Sequence, residues 1–102
     1  MPRFTVQVHP DARVDLQHAY SWYFERNPAA AVAFLAEVDW VIDQVCEMPE
    51  RWPPYLSVRR FVLRRYPFSV VYRVTGETVQ VIAFAHGRRR PGYWRKMIDG
   101  RR

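Results

Sequence analysis

The stretch Phe68-Ser69-Val70-Val71-Tyr72-Arg73-Val74-Thr75-Gly76-Glu77-Thr78-Val79-Gln80-Val81-Ile82-Ala83-Phe84-Ala85-His86 decides the fold. It reads as two strands, 68–74 and 78–86, joined by the short glycine-containing turn Thr75-Gly76-Glu77. Phe68, Val70, Tyr72 and Val74 fall at every second position and so share one face. In the following strand the same period groups Ile82 and Phe84 with His86, and Val79, Val81, Ala83 and Ala85 on the opposite side. Both sides are apolar, as in a strand covered on both faces.

Upstream, residues 58–65 continue the period of two and predict a third strand, turned into the next at Tyr66-Pro67. Pro49, Pro53 and Pro54 bracket an irregular link that holds Trp52 and Tyr55. Before it the period lengthens. Ala31, Phe34, Leu35, Val38, Val41, Ile42, Val45 and Met48 line one side of a helix over 29–48. Ala12, Leu16, Ala19, Tyr20 and Tyr23 do the same over 11–26. Asn27-Pro28 separates the two helices, a break short enough to make them an antiparallel hairpin. Phe4, Val6 and Val8 alternate with Thr5 and Gln7 as a first strand, ended by His9-Pro10-Asp11. The predicted class is α+β: an N-terminal strand, a two-helix hairpin and a three-stranded antiparallel meander, with the hairpin on one sheet face.

The chain has 102 residues, 49% of them hydrophobic, which suits one domain spanning 1–102 with a real core. No apolar run reaches the length of a membrane span, and the N-terminus lacks a signal-peptide pattern, so a cytoplasmic protein without membrane contact is expected. The single cysteine, Cys46, excludes an internal disulfide and reads as a buried thiol. His9 and His18 stand apart from other ligand types and read as surface or capping residues; no metal and no cofactor are expected.

Charge is divided unevenly. Residues 1–58 hold four arginines against eight acids, a balance of −4, whereas residues 59–102 hold eleven arginines and Lys96 against Glu77 and Asp99, a balance of +10. A positive field of that kind calls for nucleic acid or an acidic protein surface as partner. Its densest part is Ala85-His86-Gly87-Arg88-Arg89-Arg90-Pro91-Gly92-Tyr93-Trp94, followed by a basic tail over 95–102 that orders on binding. Arg60, Arg64, Arg65, Arg88, Arg89 and Arg90 are the candidate target or nucleic-acid contacts. Trp52, Tyr55 and Trp94 are candidate apolar anchors for an acidic partner. Each has a plainer reading: His86 closing a strand, Tyr93 and Trp94 closing the core, and the arginines as solvated charge.

Taken in order, Ala12, Asp15-Leu16, Trp22-Tyr23, Ala33-Phe34, Glu37, Met48-Pro49, Trp52-Pro53, the strand at 59–63, Pro67 to Arg73 and Ile82 to Trp94 resemble the RelE/ParE superfamily of type II toxin–antitoxin toxins, associated with plasmid stabilisation. The resemblance implies a toxin that arrests growth when free, and a cognate acidic antitoxin that wraps and neutralises it. RelE-like members cut mRNA on the ribosome; ParE-like members poison DNA gyrase. RelE-like ribonucleases carry cations at the positions of Arg60, Val62, Ser69 and Arg89, so this chain keeps the charge at Arg60 and Arg89 and lacks it at Val62 and Ser69. The long helices also favour the gyrase poison. RNA cleavage would need His86 as base, Tyr93 as proton donor and Arg89 on the phosphate. Whether the protein is an enzyme turns on that choice. A third class is a non-toxic basic module that binds nucleic acid through phosphates alone.

Overall fold

The computed structural model describes residues 4–55 and 57–87, with Tyr55 described by its backbone alone. The elements run β1 (Thr5–Val8), α1 (Pro10–Arg26), α2 (Pro28–Glu47), a 3-10 turn (Pro49–Arg51), β2 (Pro54–Tyr55), β3 (Val58–Val62), β4 (Phe68–Thr75) and β5 (Thr78–His86). The strands form one mixed sheet in the order β1-β5-β4-β3-β2. The meander β3-β4-β5 is antiparallel, and β1 joins it parallel to β5. The class and the helical hairpin on one face follow the sequence reading. The two-residue strand β2, paired with Val58 and Arg59 from within the proline-bracketed link, does not.

Local chemistry sets the boundaries. The Nδ1 of His9 accepts from the amide of Asp11 at 3.0 Å and caps α1, with Pro10 in the first turn. Asn27 serves both helices. Its amide donates to Tyr23 O, closing α1, and its side-chain oxygen accepts from Ala29 N and Ala30 N at 3.0 and 3.3 Å, opening α2. Pro49 stops α2 after Met48. Gly76 takes a φ of +61° at the tip of the β4–β5 hairpin, a left-handed conformation that glycine reaches without a Cβ clash.

The strand anticipated over 58–65 ends at Val62, and the reason is Glu37 on α2. Its carboxylate accepts from the amides of Arg64 and Arg65, at 2.6 and 3.4 Å, just after Leu63 N donates to Phe68 O. The backbone is drawn onto the helix and turns before the extra residues can join the ladder.

A second departure lies in β5. The register steps from Val71↔Ala83 to Tyr72↔Val81, leaving Ile82 as an extra residue. The bulge reverses the alternation beyond it. Phe84 therefore joins Val79 and Val81 on the helix side, where His86 pairs with Phe68, while Ile82 sits with Ala83 on the other. The strict period of two had grouped Ile82 with Phe84 and His86, and Ala83 with Val79 and Val81; both groupings are corrected.

The main core lies between helices and sheet. α2 supplies Phe34, Val38, Val41, Val45 and the free thiol of Cys46, whereas α1 approaches closely on Ala12 and Ala19. Tyr23, Phe34, Tyr66 and Phe68 pack ring against ring with centroids 5.1–6.5 Å apart. Tyr72 is fully buried and its hydroxyl donates to Pro49 O, tying β4 to the 3-10 turn. A smaller cluster of Val58, Val71, Ile82 and Ala83 occupies the sheet face opposite the helices.

Candidate functional site

β3 and the turn after it place four arginines around one edge of the sheet. Arg59 is braced inward: its Nη1 donates to the carbonyls of Trp52 and Glu50. Arg60 lies opposite Val71, on the face away from the helices, and is exposed. Arg64 and Arg65 leave the turn that Glu37 holds, both exposed. Because the Glu37 carboxylate is occupied by their amides, their guanidinium groups have no carboxylate within ion-pair distance among the described residues. Arg64 instead sits 5.8 Å from the ring centroid of Trp40.

Aromatic rings are interleaved with these cations. Trp52 packs on Phe61 at 4.5 Å, Trp40 meets Phe61 edge-on at 6.0 Å, and Arg51 lies 5.6 Å over Trp52. Trp40 is 45% and Val62 56% exposed. A cavity of about 410 Å³ wraps this edge, lined by Trp52, Pro53, Pro54, Arg60, Phe61 and Val62. Trp52 is thus half-buried and stacked in the fold as well as facing the cavity.

The other end of the same turn borders a second cavity, also about 410 Å³, lined by Asp15, His18, Ala19, Trp22, Tyr23, Pro67, Phe68, Phe84 and His86. Its floor exists because of the bulge at Ile82. The amide of Phe84 donates to Asp15 Oδ2 at 3.4 Å, and the His86 ring stands edge-on to Phe68 at 4.9 Å. Gly87 N donates to Pro67 O, fixing the strand end against the arginine turn. Burial holds the Tyr23 hydroxyl above its ordinary range, with Tyr66 adding to the effect. Arg26 covers Trp22 from outside at 3.8 Å.

The structure thus brings Arg64, Arg65 and His86 to one end of the sheet, with Arg60 and His86 on opposite faces. His9 has the capping role expected of it. His18, which looks isolated in sequence, shares a cavity with His86; the spacing Asp15, His18, Trp22 along one side of α1 was the available signal. Trp40 escaped notice because a tryptophan in an apolar helix reads as core. Arg88, Arg89, Arg90, Tyr93, Trp94 and the tail over 95–102 lie outside the described residues, as does the side chain of Tyr55. Among the described residues no group of three or more His, Cys, Asp or Glu is placed to hold a metal ion, and no helix is long and apolar enough to cross a membrane.

Residues 6–91 match the sequence profile of the family described as ParE toxin of type II toxin-antitoxin system, parDE. The chain belongs to the ParE toxin family. Two relatives, both Toxin ParE2 of Mycobacterium tuberculosis, from strains CDC 1551 and H37Rv, are 29% identical over 98 residues, covering 94% of this chain and 93% of theirs. The fold is similar to a solved structure titled Chromosomal ParDE TA system from P. aeruginosa, with a TM-score of 0.71 over 81% of this chain and 95% of that one, at 20% identity.

Proposed function

We propose that this ParE-family toxin arrests growth by poisoning DNA gyrase, that an acidic antitoxin neutralises it, and that its binding surface is the arginine-bearing end of the sheet. One observation carries the choice of target. Beside Arg60, on the face away from the helices, Val62 is paired directly with Ser69. A ribonuclease of the RelE kind gathers cations there to hold a phosphate as its charge develops. A methyl-bearing side chain and a hydroxyl supply no charge, and His86 faces the other side of the sheet. Arginine alone cannot act as base at neutral pH.

The ribonuclease reading keeps one specific support, the succession of His86, Arg89 and Tyr93 within eight residues. It predicts cut mRNA in a translation extract, lost on His86→Ala or Tyr93→Phe. The gyrase reading predicts accumulation of cleaved DNA–gyrase complexes and intact RNA from the same preparation. Intact plasmid with cut RNA would reverse the assignment. A preparation that does neither, and binds DNA with steep salt dependence, would be the non-toxic phosphate-binding module.

A further inference from the structure

On the sheet face away from the helices, Gln7, Gln80 and Arg73 stand side by side across β1, β5 and β4. Val79 and Val81, the neighbours of Gln80 in β5, turn to the helices and so fix the opposite side for Gln80. The Nε of Arg73 donates to Gln80 Oε1 at 2.8 Å, and Gln80 Nε2 donates to Gln7 Oε1 at 3.3 Å. A guanidinium has no acceptor, so it dictates which end of each amide points where along the row. Both amide oxygens are consumed inside the row, and Thr75 Oγ1 adds a second donor to Gln80 Oε1 at 3.4 Å. What is left over is N–H alone: the Nη groups of Arg73 and the Nε2 of Gln7 meet no hydrogen-bond partner among the described residues.

The row lines a cavity of about 270 Å³ together with His9, Val8 and Ile82. His9 is held there from two directions: its amide donates to Val81 O at 2.9 Å, and its Nδ1 accepts from Asp11 N. In the neutral ring an accepting Nδ1 puts the proton on Nε2, which becomes a further donor. No Asp or Glu among the described residues lines this cavity, and Arg73, partly buried, has no carboxylate within ion-pair distance among them. A concave site with an aimed arginine and only donors to offer is suited to an anion. On its other flank Arg73 borders a cavity lined also by Glu50, whose carboxylate repels an anion, so the His9 side is the one that serves.

We infer that the cavity is a phosphate site, taking one phosphate group, free or esterified, on Arg73, Gln7 and His9. The spread of donors selects phosphate over carboxylate. A carboxylate offers two oxygens in one plane, whereas the donors here come from β1, β4 and the turn into α1 around a concave surface. The site uses none of Arg60, Arg64 and Arg65, and it stands whichever target the toxin has.

The test is an NMR titration of the purified protein with inorganic phosphate, adenosine monophosphate and acetate, each at the same ionic strength. Saturable shifts of the Gln7 and Gln80 side-chain amide signals and of the Arg73 Nε–H signal are expected with both phosphates and not with acetate. Tighter binding of the monophosphate would support the site and identify its occupant as a phosphate ester; equal binding would support it as a site for the free ion. Gln7→Glu, an exposed change that sets a carboxylate beside the cavity, should weaken binding at least about tenfold. Arg73→Lys keeps the charge but loses the bond to Gln80 that aims it, and should weaken binding severalfold; unchanged affinity in both variants would overturn the assignment. Equal affinity for acetate would overturn the phosphate class, and shifts confined to Arg60, Arg64 and Arg65 would overturn the location. No saturable shift with either phosphate would overturn the inference. None of these readouts depends on gyrase or on an antitoxin.

Discussion

Tyr72 is the residue on which the link between helices and sheet turns. It is fully buried, and its hydroxyl donates to the Pro49 carbonyl at the end of α2. Burial pushes its pKa up to about 12, with Arg59 pulling the other way. Because the folded value lies above the ordinary 10, the neutral phenol stabilises the fold fully below pH 10. That stabilisation is lost as pH rises through about 12, since the unfolded chain ionises first. Urea midpoints measured from pH 9 to 12 should therefore fall, and Tyr72→Phe should flatten the curve. At neutral pH the same variant leaves the Pro49 carbonyl without its donor and should cost about 1–3 kcal/mol. Glu37 poses a milder case. Glu37→Ala removes the acceptor for two exposed amides, so a loss of about 1 kcal/mol is expected, with faster hydrogen exchange at Arg64 and Arg65.

At the scale of elements, Asn27 and Ile82 do unusual amounts of local work. Asn27→Ala opens the start of α2 at a stroke and should cost about 1–2 kcal/mol in a thermal melt. Deleting Ile82 makes the ladder regular, because Val81 and Ala83 become neighbours with Tyr72 and Val71 as their partners, and Phe84 and His86 keep the helix side. What is lost is the buried Ile82 side chain of the smaller cluster, so a cost of about 2–5 kcal/mol with retained cooperative unfolding by circular dichroism is expected. These two residues also mark the boundary of what the sequence discloses. The helix break at Asn27-Pro28 is legible because asparagine and proline leave a local signature, and the helices on either side carry a clear 3.6-residue stripe. The bulge is not, because Val79 to Ala85 is apolar on both sides apart from Gln80, and a shift of one residue leaves the pattern looking unchanged. The pairing of β1 with β5 and the end of β3 at Glu37 depend on groups more than twenty residues apart in sequence. Charge alone marks Arg60, Arg64 and Arg65 as candidates without placing them; the Trp40 edge and the His18–His86 cavity depend on how the helices dock.

For the molecule as a whole, the uneven charge sets how a partner arrives. The later part of the chain carries +10 and the earlier part −4, and of its described cations Arg64 and Arg65 stand at one end of the sheet, with Arg60 midway along β3 and Arg73 toward the other end. An acidic partner approaching that end is oriented before contact, because the field extends about 30 Å at 0.01 M salt and only about 10 Å at 0.1 M. The proposed antitoxin should therefore associate at least about tenfold faster at the lower salt. Its dissociation, governed by the aromatic contacts around Trp40 and Trp52, should change far less. Stopped-flow tryptophan fluorescence across that salt range separates the two rates. Reversing Arg64 and Arg65 to glutamate should flatten the salt dependence of association, whereas Trp40→Ala should raise only the dissociation rate. An association rate insensitive to salt in the unmodified protein would mean that the partner recognises the apolar edge without help from the field.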